Sequence, residues 1–236
     1  MRISAINDRG LVRMIPETRH KPPVLRGIVD TDEEAEILAA LEGETSARLV
    51  AEREGSPALD RRELVFARRA RDLKVYGATH VNAAFAYARP TGNRFNGGER
   101  GAWYCSWHPL TSAEEVGWHR TRELGYVGHF VDEARYVELL ADFIGDFPDL
   151  ADEPRSPALD PDPAVGYPAG QALAGALRRE GHAGLIYPSV RHRGGRCFVA
   201  FVPGIVQNVR PGASWRLVWS GTPAYTLECL SATAPA

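Results

Sequence analysis

Apolar residues in this 236-residue chain come in short runs, most of them stopped by proline or glycine, so the elements they predict are short. Leu11-Val-Arg-Met-Ile-Pro16 reads as a strand that carries a single charge, Arg13, and ends at proline. Thr31-Asp-Glu-Glu34 is a capping-box sequence. It predicts a helix with Ile37, Leu38 and Leu41 on one face, weakened or ended at Gly43, with a second turn through Leu49. Residues 54–74 are charged, and Arg61, Arg62, Arg68, Arg69 and Arg71 read as a solvated helix face. Val81 to Tyr87 fits either a short helix or a strand and stops before Pro90.

A glycine-rich loop over 92–101 then leads into a short apolar strand, Ala102 to Ser106. Pro109 breaks the chain before a helix that begins near Thr111. Residues 134–145 fit both periods, and their Tyr, Val and Leu content favours a strand in the first half. Five prolines between 147 and 164 mark a long surface loop, an excursion within one domain. Pro168 to Glu180 reads as a helix closed by Gly181. Leu185–Pro188, Cys197–Val202 and Trp215–Trp219 read as strands, with Thr226–Leu230 a short edge. The pattern predicts an α+β single domain: a mainly antiparallel sheet flanked by helices, with 1–74 a helical extension packed on the same domain as 75–236.

A formal net charge of −2 argues against a general nucleic-acid binder, which needs a basic surface. No run of about 18 apolar residues is present to span a membrane. The first residues lack the apolar stretch of a secretory signal. Cys105, Cys197 and Cys229 have no metal-binding spacing, so a structural metal is not expected and a reducing, cytoplasmic location fits. Cys105 reads as a buried small hydrophobe rather than a nucleophile.

Candidate chemistry concentrates between 92 and 119. Arg94, Tyr104 ten residues on and Glu115 eleven beyond that bring together a guanidinium, a phenol and a carboxylate. Each has an ordinary alternative: Arg94 as an exposed turn residue, Tyr104 as core packing, Glu115 as a first-turn acid favoured by the helix dipole. Thr111-Ser-Ala-Glu114 is itself a capping box, which gives Glu114 a structural task and leaves Glu115, about 100° further round, without one. His119 follows Glu115 by four residues on the same face, as a packed histidine or half of a metal pair. In Gly184-Leu-Ile-Tyr-Pro-Ser-Val-Arg191, Ser189 and Arg191 fall at a strand end without the elbow of a hydrolase, where Ser189 also reads as a turn former.

In this order, these motifs resemble the RES-domain family, toxins of RES–Xre toxin–antitoxin modules named for an Arg, a Glu and a Ser. The matching residues are Arg94 in Asn-Arg-Phe-Asn-x-Gly, Glu115 in Ala-Glu-Glu-Val-Gly-Trp-His, and Ser189 in Ile-Tyr-Pro-Ser-Val-Arg, with Tyr104 the aromatic between. The resemblance spans about residues 75–220. It implies a fold similar to ADP-ribosyltransferase toxins and cleavage of the nicotinamide–ribose bond of NAD, which is then a substrate. The ADP-ribose would pass to water, phosphate or a protein. It implies Glu115, Arg94 and Ser189 as catalytic residues and Tyr104, Arg13 and Arg191 as NAD-binding residues. An Xre-type helix-turn-helix antitoxin is the implied partner, and a homo-oligomer is compatible with it. A catalytically silent nucleotide- or partner-binding module is the competing reading.

Overall fold

The computed structural model describes residues 1–20, 31, 33, 46–56, 58–64 and 76–231. The helix expected after Thr31 and the charged stretch around Arg68, Arg69 and Arg71 lie largely outside the described residues. Within them, seven strands form one mixed sheet: β1 (Arg2–Pro16), β2 (Trp103–Ser106), β3 (Val131–Asp149), β4 (Gly184–Pro188), β5 (Arg196–Ala200), β6 (Gln207–Ser220) and β7 (Tyr225–Ser231). Four α-helices accompany it: α1 (Ala47–Glu54), α2 (Ala78–Ala86), α3 (Pro109–Val127) and α4 (Pro163–Arg179). The fold class is therefore the expected α+β, mostly antiparallel.

The order β1-β2-β5-β4-β3-β6-β7, with an added β1–β3 pairing, closes five strands into a ring and leaves β6 and β7 as a wing on β3. All pairings are antiparallel except β3–β4, which meet in parallel at Asp149 and Ile186. The two long strands hold this together. β1 runs along β3 from Arg2 opposite Asp149 to Pro16 opposite Tyr136. Its register shifts between Asp8 and Leu11, where Gly10 takes a left-handed φ of 74° and donates its N–H to Asp142.

Several elements depart from the sequence pattern. β1 begins nine residues before the expected strand, so 2–16 belong to the sheet; the described helical segments of 1–74 are the 3-10 turn Glu17–Arg19, the single position Glu33 and α1. β3 covers all of 134–145 as strand and takes 147–149 from the expected loop. The turn residues 61–64 replace the expected helix around Arg61 and Arg62. The remaining loop is shortened from its other end as well, because α4 starts at Pro163 and carries Pro168 inside it. Asp162 is its N-cap and accepts from the Ala164 N–H. Gly181 closes this helix as expected, with φ 87° and its N–H on the Arg178 carbonyl.

Alternation along β4 and β5 explains why both read as continuous apolar runs. Ile186, Phe198 and Ala200 face a core shared with α2, through Val81, Ala84 and Phe85. Leu185, Tyr187, Cys197 and Val199 face a second core under α4, with Ala174 and Leu177. Strands buried on both faces lose their polar alternation. A third cluster lies beneath α3, where Ala113 and Leu124 meet Val12, Met14, Leu217 and Trp219. Among the described residues no helix is long and apolar enough to cross a membrane.

Candidate functional site

Helix α3 starts two residues before the expected capping box. His108 is the N-cap, its ring accepting from the Leu110 N–H at 3.2 Å, and Pro109 opens the first turn. The Thr111–Glu114 capping box is therefore overturned as a helix start. Thr111 instead bonds His192 Nδ1 at 2.8 Å, and Ser112 Oγ donates to the Val12 carbonyl. The adjacent glutamates nevertheless go separate ways. Glu114 accepts from the Tyr225 hydroxyl on β7 at 2.6 Å, while Glu115 turns inward and accepts from Ser189 Oγ at 2.6 Å.

Ser189 opens the turn after β4. The N–H groups of Arg191 and His192 both donate to its Oγ, at 3.1 and 3.0 Å. With the oxygen's acceptor positions so occupied, its single proton is aimed at Glu115. Both readings of Ser189 meet in one atom: it shapes the turn and it supports the carboxylate. The Thr111–His192 and Ser189–Glu115 bonds tie this turn to α3 at positions one helical turn apart.

A cavity of about 230 Å³ lies beside this pair, and its walls include Arg13, Arg94, Tyr104, Glu115, His119 and Arg191. Tyr167 of α4 and Tyr187 of β4 complete the wall, and neither stood out in the sequence. Burial raises the Glu115 carboxyl above its ordinary value, opposed by the Ser189 hydrogen bond and by the charges of Arg191 and Arg94. His119 is driven down to about 4 by burial, then by Arg89, Arg122, Arg191 and Arg94, so its ring is neutral at pH 7. Burial also pushes Arg13 down to about 10, which leaves it protonated at neutral pH.

The loop carrying Arg94 is fixed from several sides. Tyr104 Oη accepts from the Phe95 N–H and donates to Asn96 Oδ1, while Gln171 and Arg178 of α4 donate to the Asn93 and Phe95 carbonyls. Arg94 is buried, its Nη1 donating to the Ala158 and Asp160 carbonyls at 2.7 and 2.8 Å. Gly166 and Gly170, one turn apart on α4, make this approach possible. A Cβ on Gly170 would stand 2.2 Å from the Arg94 carbonyl oxygen, and one on Gly166 2.5 Å from Nη1. Only the other edge of the guanidinium, Nε and Nη2, is left for a ligand.

The remaining cations are similarly braced. Arg13 donates to the Tyr104 carbonyl and lies over the Trp103 ring. Arg191 stacks 3.4 Å from the Trp118 ring centroid and donates to the Pro161 carbonyl. Cys105 also lines the cavity, but burial pushes its thiol well up, so it is an inert hydrophobe there. All three cysteines are free thiols. Among the described residues no group of three or more His, Cys, Asp or Glu is placed to hold a metal.

Replacing Ser189 by Ala tests the pair directly. Loss of the hydroxyl removes a contact that holds the Glu115 pKa down, so the pKa rises further. For any reaction that needs the carboxylate, the acid limb of the pH–rate profile is expected to move to higher pH, with a loss of about tenfold along that limb. An unshifted limb would show that Ser189 serves the turn alone.

The fold and cavity define a class: a mixed-sheet α+β protein whose single lining carboxylate among the described residues faces a serine and three arginines. The family model for the RES domain matches residues 67–220, more than half of the chain, and the chain belongs to the RES-domain family. A comparison with curated proteins gives no match.

Proposed function

We propose that this protein cleaves the nicotinamide–ribose bond of NAD, with NAD as substrate and no bound cofactor. The observation that carries the reading is the buried Glu115–Ser189 pair in a cavity flanked by Arg13, Arg94 and Arg191. Glycosidases need two carboxylates, one of them to protonate a poor leaving group. Nicotinamide is a pyridinium in NAD and departs neutral without a proton, so one carboxylate suffices. As the bond breaks, positive charge moves from the ring nitrogen to the ribose carbon, where Glu115 stabilises it in a site sheltered from water. The Ser189 hydrogen bond favours the ionised form of Glu115 against its burial. The arginines suit a substrate that carries phosphates, and the Tyr104 ring, held through its hydroxyl, offers a fixed surface for nicotinamide.

Family membership supports a role as the toxin of a toxin–antitoxin pair, held in check by a helix-turn-helix antitoxin. Incubation with NAD, with and without phosphate, followed by mass spectrometry of the products, tests the chemistry. Nicotinamide with ADP-ribose or its 1″-phosphate is the expected result. Labelled protein in a lysate supplied with labelled NAD would redirect the reading to ADP-ribosyl transfer. NAD binding without turnover under all these conditions would leave a binding module.

A further inference from the structure

The cavity beside Glu115 is too small for a whole dinucleotide, because sites for ligands of that size generally occupy about 300–1,000 Å³. It adjoins a larger cleft of about 700 Å³. The two spaces share four residues, Met14, Asn93, Val116 and His119, which form a neck with two apolar and two polar walls. Beyond the neck the cleft is bounded by β1 and the turn after it, by α3, and by the start of β3, with Arg19, Arg89, Arg120 and Arg135 on its walls. Three glutamates also line it. They are Glu17, Glu123, which pairs with both Arg89 and Arg120, and Glu133, which pairs with Arg135.

We propose, building on NAD as the substrate, that the neck at His119 seats the pyrophosphate and that the cleft beyond it takes the adenosine, with Arg89 and Arg19 as the cations on that side. Three observations support this division. His119 has no hydrogen-bond partner among the described residues, so a ring N–H is free to donate to a phosphate oxygen. The charges of Arg89, Arg122, Arg191 and Arg94 all add a positive potential at the His119 ring, on both sides of the neck. Arg94, one of the three arginines beside Glu115, has its Nη1 engaged by the Ala158 and Asp160 carbonyls and presents one edge only. A dianion between two spaces is stabilised by cations from each, and Arg94 alone supplies one side.

Kinetics with two substrates distinguish this from a general defect. Nicotinamide riboside has the same scissile bond but neither phosphates nor adenosine. His119→Ala and Arg89→Ala are each expected to lower kcat/KM for NAD about tenfold or more, the scale of one lost hydrogen bond to a charged group, mainly through KM. Cleavage of nicotinamide riboside should stay within about twofold of the parent on the same reasoning. Equal losses on both substrates, or none on NAD, would overturn the assignment. If the parent protein cleaves neither substrate, the proposed reaction fails, and the neck is judged by calorimetry with ADP. Binding weakened about tenfold by His119→Ala sustains the assignment, and absence of ADP binding to the parent refutes it.

Discussion

Glu115→Gln is expected to reduce NAD cleavage by a factor on the order of 10² to 10³, while the folded protein stays at least as stable as the parent. The substitution keeps the volume and the hydrogen-bond capacity toward Ser189 but removes the negative charge that opposes the developing cation. The stability half follows from burial. The folded-state pKa of Glu115 lies above its ordinary value of 4.5, mainly through desolvation. Between those two values the folded state binds more protons than the unfolded chain, so stability falls as pH rises through that window. Above that window the ionised carboxylate is therefore a cost that the amide avoids. Nicotinamide release measured by chromatography, beside thermal melts at pH 5 and pH 8, checks both halves. Parent-like turnover in Glu115→Gln would eliminate the carboxylate mechanism.

Phe198→Ala is expected to destabilise the protein by about 3–5 kcal/mol, lowering Tm by roughly 10 °C for a domain of this size. Phe198 is fully buried in the middle of β5, its ring 4.8 Å from those of Phe143 and Phe147 and edge-on to both. Trp107 meets it from a third side, and Gly184 on the paired strand leaves room for its ring edge. Truncation would open a cavity between rings carried by β3 and by the β2–α3 turn, which cannot close in without disturbing the sheet pairing of β3. Phe198 is not among the residues lining the cavity beside Glu115. Protein that remains folded should thus cleave NAD at close to the parent rate, measured below the lowered Tm. A stability loss under about 1 kcal/mol would show that this cluster is not the centre of the core.

Much of the candidate site was legible because local chemistry and position coincide there. The Arg94, Tyr104, Glu115 and Ser189 motifs could be read in order, and the structure brings all four to one place. Glu115 could be told from Glu114 by angular position along the helix, although the capping box used to separate them was mistaken. His108 is the cap, and Pro109 opens the helix instead of breaking it. An Asp-Pro pair at 162–163 carried the same N-cap and first-turn signal for α4, and it was hidden among loop-forming prolines.

The misses have a common physical origin. Residues 2–10 are too polar to read as strand, and they are strand because β3 pairs with residues 2–8 and Asp142 fixes the bulge at Gly10. Glycine 145 and Pro148 argued against a continuous β3, yet pairing with β1 on one edge and with β6 and then β4 on the other overrides local propensity. Tyr167, Tyr187, Gly166 and Gly170 left no local trace of a role, since each matters through a neighbour more than 70 residues away in the chain.

The sequence by itself determined the alternation of strands and helices, the α+β class and the ordered set of polar groups around Arg94 and Glu115. These are properties of short segments, set by side-chain periodicity, capping and turn chemistry. Only the tertiary structure decided that Ser189 points its proton at Glu115, that Arg94 is half committed to the 158–160 loop, and that the cavity beside Glu115 shares His119 with a second cleft. Each of these depends on contacts between distant segments, and the burial those contacts create moves the Glu115 and His119 pKa values in opposite directions.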